Sequence, residues 1–194
     1  MRSKRCPWLT LVAGLAASMP LAAADPALAP VGSWWFEVGG GKALLYGSPG
    51  NAGGAAANVG MGWTIAPQWA LGVELGGAIN TGDCAGVMCA EFGPDISHAS
   101  LVVEYAVRLS PWRLRLGVGT FEYCTDAWFY SCEPARGEGV GVYATYHLPL
   151  TSRAVWSLGV RVGAEVARLS VKPLAGAPSF WHSAAQLSVQ LRRY

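Results

Sequence analysis

Charged side chains are scarce in this chain. Asp, Glu, Lys and Arg supply only 13% of its 194 residues, while hydrophobic types supply 52% and glycine 25 positions. A soluble domain commonly has about a quarter of its residues charged, so a solvated shell is hard to build here. Long apolar runs are also missing. After residue 24 none approaches the roughly 20 residues that a membrane helix requires, which excludes a helical membrane protein. There is no phosphate loop, no dinucleotide fingerprint and no basic stripe. Nothing therefore points to a nucleotide cofactor or to nucleic acid. The cysteines lack the C-x2-C spacing usual in structural zinc sites. No cofactor and no metal site is expected.

The first residues address the chain. Arg2, Lys4 and Arg5 precede a mostly apolar run from Trp8 to Leu21, which ends in the small residues Ala22-Ala23-Ala24. This pattern predicts a Sec-type signal peptide over 1–24, cut near Ala24. Gly14, Ser18 and Pro20 interrupt the run, and it is short for a span, which disfavours an uncleaved anchor. Cys6 leaves with the peptide, and no cysteine stands at the cleavage point to mark a lipoprotein. Cleavage removes three basic residues and no acidic ones, leaving 170 residues with 11 basic against 12 acidic. The formal charge of +2 belongs to the precursor and says nothing about an anionic partner. The remaining length suits a single domain.

The clearest structural signal lies at 59–77, VGMGWTIAPQWALGVELGG. Val59, Met61, Trp63 and Ile65 alternate with Gly60, Gly62 and Thr64. Beyond a turn at Ala66-Pro67-Gln68, Trp69, Leu71, Val73 and Leu75 alternate with Ala70, Gly72, Glu74 and Gly76. This is a hairpin with one large apolar face and one small or charged face.

The same period recurs along the chain. Residues 25–32, with Pro26 and Pro30, read as an extended periplasmic lead-in. A first strand is predicted over 33–44, with Gly39-Gly40-Gly41 as a bulge or bend. A loop over 46–54 follows, then the hairpin, then a loop over 80–95. The fourth strand spans 96–109, the fifth starts at Trp112 after a Ser110-Pro111 turn, and a loop covers 123–139. The sixth strand is 140–148, the seventh 155–169 and the eighth 180–194, with a loop over 171–179 before the last. Eight strands result, joined alternately by long and short connections. Trp34, Trp63, Trp69, Trp112 and Trp156 fall near the chain ends or the short turns, where an indole can keep its ring in a membrane boundary and its N–H wet. Tyr46, Phe92 and Tyr123 are candidates for a thinner ring at the other end. A soluble up-and-down barrel, a periplasmic carrier of lipocalin type, explains the alternation equally well. It explains the sorted turns, the clustered tryptophans and the shortage of outward charge less well.

Over nearly the whole region 33–194 the pattern resembles the small eight-stranded outer-membrane β-barrels. That class includes the OmpA transmembrane domain, the OmpX-like and Opa-like proteins and some outer-membrane enzymes. The resemblance implies an all-β, antiparallel, up-and-down transmembrane barrel in a Gram-negative outer membrane, with short periplasmic turns and longer external loops. One feature departs from it. Such chains commonly end in an aromatic residue on the apolar face, whereas Tyr194 shares parity with Arg192, Gln190 and Ser188. The last strand then either bulges near Arg192-Arg193 or carries a weak assembly signal.

In such a barrel the small face looks inward. Glu37, Glu74, Glu104, Arg113, Arg115, Arg161 and Glu165, with His98 and His147, then share a lumen only wide enough to be filled by side chains. They must pair, since a lone buried charge is costly. A charge-plugged lumen is the expectation, and a wide pore is excluded by the strand number. His98-Ala99-Ser100 resembles the His-x-Ser element of outer-membrane lipid A deacylases, with Glu104 on the same face as a third candidate. Here the parity points inward, the element lies on the fourth strand far from the chain end, and Leu101 stands where that family has asparagine.

Cys84, Cys89, Cys124 and Cys132 all fall in the loops over 80–95 and 123–139. Their even number in an exported chain suggests disulfides. Of three pairings, Cys84–Cys89 with Cys124–Cys132 is the simplest, and cross-links between the loops stay open. Residues 126–130, DAWFY, form an aromatic run inside the second of these loops. The expected product is a monomeric, non-enzymatic barrel with outer-membrane lipid and lipopolysaccharide around it, and a surface ligand reached through those two loops. A barrel enzyme acting on lipid A is the alternative.

Overall fold

Eight alternating segments become eight strands in the computed structural model, which describes residues 30–47, 51–80, 95–124, 135–150, 156–170 and 179–194. They are β1 (Trp34–Gly47), β2 (Asn51–Ala66), β3 (Trp69–Asn80), β4 (Asp95–Ala106), β5 (Trp112–Cys124), β6 (Ala135–Pro149), β7 (Trp156–Ser170) and β8 (Ser179–Arg193). Each pairs antiparallel with the next, and β8 pairs with β1 to close the barrel. Closure removes every sheet edge, so each strand has a hydrogen-bonded neighbour on both sides. Residues 1–29, with the expected signal peptide and most of the expected lead-in, lie outside the described residues.

The stagger of the strands sets the bore. A walk across the register from Glu37 passes Gly60, Glu74, Ser100, Gly119, Gly139, Ala167 and His182, and regains β1 at Gly47, ten residues beyond its start. Strand number and stagger together fix tilt and radius, and eight strands leave an interior that side chains fill.

Residues are distributed inside out relative to a soluble barrel. On β3, Trp69, Leu71, Val73 and Leu75 are 44–56% exposed on the outside, while Glu74 between them is 1% exposed. The other strands repeat this: Met61, Leu101, Leu116, Val142, Val160 and Val189 face out, and Glu37, Glu104, Arg115, Arg161 and Arg192 face in. Apolar side chains outside and ion pairs inside suit a surrounding of lipid.

Several boundaries differ from expectation. Residues 51–54 are strand rather than loop, because Asn51, Ala52, Gly53 and Gly54 pair with Tyr46, Leu45, Leu44 and Ala43. The β1–β2 connection is thus only 48–50, the shortest at the long-loop end. Gly39-Gly40-Gly41 is no bulge; its register runs unbroken to both β2 and β8. Glycine is needed at Gly41 for close approach, since a Cβ would run into the Leu187 carbonyl, while at Gly39 a Cβ would displace the Gln190 amide. β4 stops at Ala106, where Ser110 N–H donates to Val107 C=O at 3.2 Å and Leu109 takes a φ of 55°. β6 starts at Ala135, five residues before the expected Val140.

The small face of the β2–β3 hairpin has a specific cause. The Trp35 indole lies across Gly60, Gly62 and Gly72, and a Cβ at Gly62 or Gly72 would stand 2.5 or 2.6 Å from its Cζ2. The glycines are the bed for a fully buried tryptophan on the neighbouring strand.

Candidate functional site

The lumen gathers the chemistry of this chain, and Arg115 on β5 is its hub. Its Nη1 donates to Glu37 Oε1 at 2.8 Å and to Glu74 Oε2. Its Nη2 donates to Glu37 Oε2 at 3.0 Å and Glu104 Oε2 at 2.7 Å, and its Nε to Glu104 Oε2 at 3.2 Å. One guanidinium thus joins carboxylates from β1, β3 and β4. Arg161 on β7 grips Glu74 with two parallel bonds of 2.8 and 2.7 Å, the geometry that makes arginine–carboxylate pairs strong. Arg192 on β8 and Arg113 on β5 complete the set on Glu104, at 2.7 and 3.0 Å. Arg192 Nη1 also lies 3.5 Å from Glu37 Oε2.

Aromatic rings brace the guanidiniums. Arg192 and Arg115 stand over the Trp35 ring at 4.3 and 5.2 Å, and Arg161 over Tyr143 at 3.6 Å. Tyr194 closes the short-turn end from inside, with Arg113 and Arg192 at 5.0 and 4.8 Å from its ring. These are cation–π contacts in a desolvated setting, where they are strongest. Neutral polar groups fill the next level. Gln190 Nε2 donates to Asn58 Oδ1 at 3.1 Å and Ser188 Oγ at 2.7 Å, and Tyr143 Oη and Gln186 Nε2 donate to Glu165. His98 stands between two carboxylates, Nε2 to Glu74 and Nδ1 to Glu165, each at 3.6 Å. His147 meets Ser157 Oγ at 3.1 Å near the base.

The long-loop end of the lumen is filled differently. Leu45, Ile96, Phe121, Tyr123 and Leu169 pack with inward alanines, and Phe180 joins them. His182 rests on the Tyr123 ring at 5.1 Å. The interior is thus a salt-bridged lower layer capped by an apolar upper layer, a mixture where the sequence suggested charge alone.

Each expected lumen residue, Glu37, Glu74, Glu104, Arg113, Arg115, Arg161, Glu165, His98 and His147, faces inward, and the four glutamates meet the arginines or Tyr143 as described. Arg192, Trp35, Tyr143, Gln190 and Asn58 were missed. Their signal was parity, since each shares a face with a recognised lumen residue or its register partner. The candidate set His98, Ser100 and Glu104 does not assemble. Both Glu104 oxygens are taken by arginines, and the His98 nitrogens face Glu74 and Glu165. Among the described residues no hydrogen bond joins His98 to Ser100, and no cluster of His, Cys, Asp and Glu could hold a metal. Tyr123, expected at the outer membrane boundary, is 3% exposed inside the barrel, because β5 keeps its period through Phe121 and Tyr123. Cys84, Cys89, Cys132, Phe92 and 126–130 lie outside the described residues, as does the side chain of Cys124.

The tryptophans form a belt outside the short-turn end. Trp34 packs at a tilt on Trp63 at 5.1 Å and Trp69 on Tyr105 at 4.9 Å, Trp112 meets Tyr146 edge-on at 5.2 Å, and Arg193 covers Trp156 at 5.7 Å. Eight closed antiparallel strands, an apolar exterior and an aromatic belt at one rim define the architecture. The chain has the fold of the small eight-stranded outer-membrane barrels. Neisserial surface protein A shares it, at 15% identity over 82% of this chain and 96% of that one, with a TM-score of 0.57. Ail, the attachment invasion locus protein of Yersinia pestis, solved with the heparin analogue sucrose octasulfate, shares it at 10% identity over 84% of this chain and 99% of that one, with a TM-score of 0.50. No family model and no curated relative matches the sequence. Identities this low establish an outer-membrane-barrel fold and leave function to the residues.

Proposed function

We propose that this chain is a non-enzymatic, monomeric barrel of a bacterial outer membrane, delivered by the signal peptide over 1–24. Its lumen is sealed, and it serves as an anchor for the surface loops over 81–94 and 125–134, which recognise a ligand. The single observation that carries the reading is Arg115, locked by carboxylates of three strands across the bore. A transport path would need those groups free and hydrated, and the layer above them is packed mainly with apolar side chains. Disulfides among Cys84, Cys89, Cys124 and Cys132 would stiffen the loops, in the local pairing or across them. No observation favours a lipid-modifying enzyme, since every candidate catalytic group is occupied or inward.

Planar-bilayer recording tests the seal. Refolded protein should give no discrete conductance steps in molar KCl, and a stable conducting level of the unaltered chain would overturn it. Fractionation tests the setting: the chain should resist carbonate extraction from outer membranes, and release into the soluble fraction would sink the proposal.

A further inference from the structure

The arginines of the lumen are unequally partnered. Arg115 donates from all three of its side-chain nitrogens. Arg161 lacks an acceptor at Nε alone. Arg192 is fully buried, yet only its Nη1 is met, by Glu104 at 2.7 Å with Glu37 at 3.5 Å. Its Nε and Nη2 have no acceptor among the described residues. In a guanidinium these two nitrogens carry N–H bonds along one edge, the fork that takes an anion side-on. An unmet buried donor is costly, and more so on a charged group. One whole edge of a buried cation therefore asks for an acceptor that the described residues do not supply.

Two more unpartnered groups belong to the same corner of the lumen. Arg192 Cζ stands 4.3 Å from the Trp35 ring centroid, and Trp35 Nε1 is buried without an acceptor. Gly60 lies nearest the Cζ3 of that ring and Gly62 nearest its Cζ2 and Cε2, so the N–H edge is on the short-turn side. Ser157 faces Arg192 in the β7–β8 register and meets His147 Nδ1 at 3.1 Å. With the Ser157 hydroxyl donating, the ring proton of His147 sits on Nε2, which is likewise buried and unpartnered. The charges agree. Glu37, Glu74 and Glu104 are shared among Arg113, Arg115, Arg161 and Arg192, while Glu165 is engaged by Tyr143 and Gln186. The lower layer is one negative charge short. Arg113, whose side chain is 12% exposed, and the half-buried Tyr194 place this corner beside the short-turn mouth.

We propose that the base of the lumen binds one small inorganic anion, a chloride, on the unmet edge of Arg192, with Trp35 Nε1 and His147 Nε2 as the further donors. A halide accepts several N–H bonds at once and supplies the missing charge. A water could meet some of the donors but would leave the charge unbalanced. The ion enters past Arg113 and Tyr194 and goes no further, because the interlocked carboxylates and guanidiniums of Glu37, Glu74, Arg115 and Arg161 lie above it. It is a bound counter-ion that completes the plug, and the inference rests on the sealed lumen proposed above.

The test uses the full mature barrel in phosphatidylcholine vesicles, with heat-modifiable gel mobility to report that each sample is folded. Urea unfolding is followed while chloride replaces gluconate at constant ionic strength. Chloride should lower the unfolding equilibrium constant at least about fivefold by about 200 mM and then level off, as binding of one ion to the folded state requires. Arg192→Lys keeps a cation for Glu104 and removes the fork, so the chloride dependence should vanish. Trp35→Phe should weaken it several-fold, and Arg168→Ala, at the outer rim, should leave it unchanged. Crystals of the unaltered barrel soaked in bromide should show an anomalous peak at hydrogen-bond distance from Arg192 Nε and Nη2, a reading that needs no variant. Equal stability in chloride and gluconate, a dependence that never saturates, one that survives Arg192→Lys, or a fork without bromide would each overturn the proposal. Discrete conductance steps would instead overturn the seal and leave the ion measurements standing.

Discussion

Replacing Glu74 with leucine is the sharpest probe of the lumen. Glu74 accepts both terminal nitrogens of Arg161 at 2.8 and 2.7 Å, and Nη1 of Arg115. Without it, the nearest carboxylate left to Arg161 is Glu37, at 3.7 Å and already bound by Arg115. Glu37, Glu74 and Glu104 are the carboxylates that Arg113, Arg115, Arg161 and Arg192 meet, while Glu165 is engaged by Tyr143 and Gln186, so Glu74→Leu leaves Arg161 without a hydrogen-bonded carboxylate. Breaking a buried pair by removing one member is destabilising by about 3–5 kcal/mol, and that is the loss expected here. Leu75, next door but 56% exposed to the outside, should accept isoleucine within about 0.5 kcal/mol. Because the main term is a stranded charge, Glu74→Leu/Arg161→Met should recover much of it, with a coupling of at least about 2 kcal/mol. Equilibrium urea unfolding in phospholipid vesicles, followed by tryptophan fluorescence, reads these three variants and the Arg161→Met single change that completes the cycle. A Glu74→Leu loss no larger than that of Leu75→Ile, or an additive cycle, would refute the claim that the lumen is held by paired charge.

Three further outcomes follow from packing and backbone. Gly62→Ala and Gly72→Ala should each be destabilising by about 1–3 kcal/mol and shift the emission of Trp35, because the added methyl meets its indole; Gly53→Ala, with open space at the position, should be neutral in the same urea titration. Leu109→Asn should raise the urea midpoint by the equivalent of about 0.5–1 kcal/mol, since a leucine at positive φ is strained by about 1–2 kcal/mol and asparagine tolerates that region, and the exposed side chain packs on nothing that would be lost. Tyr194→Ala should lower stability by about 1–2 kcal/mol through the loss of two cation–π contacts, and Tyr194→Phe should match the unaltered barrel; a loss with phenylalanine as large as with alanine would remove the ring from the explanation.

What the sequence disclosed was whatever depends on parity within one strand. The period of two is a local property, so Glu74 between Leu75 and Val73, or Arg115 between Leu114 and Leu116, could be assigned a face from neighbours alone. Which lumen groups meet depends on register between strands far apart in the chain. Arg115 reaches Glu37 across 78 positions, and no spacing rule connects them. Trp35 was passed over for a similar reason: its neighbour Trp34 matched the interface pattern, and only the bed of Gly60, Gly62 and Gly72 on another strand shows that an indole lies inside. Residues 51–54 looked like loop because small residues have weak strand propensity, yet pairing with β1 orders them. Tyr123 was sent outward by its aromatic character, against the parity of Arg115 and Phe121.

The last strand shows how a local pattern that looked like a defect is forced by the lumen. Ser188, Gln190 and Arg192 are buried inside, and the β1–β8 register runs unbroken to Arg193 opposite Phe36. There is no bulge near Arg192-Arg193. Turning Tyr194 to the lipid side would need a shift of one residue, and in a strand that exchanges the whole set. Leu187, Val189 and Leu191 would enter the lumen, and Gln190 would leave Asn58. Arg192 would abandon Glu104 for the apolar exterior, breaking a buried pair and exposing a guanidinium to lipid at once. Either change alone is several kcal/mol, more than a single interfacial aromatic can return. The strand that closes the barrel therefore takes its register from Arg192, and the inward Tyr194, stacked under Arg192 and Arg113, is the consequence.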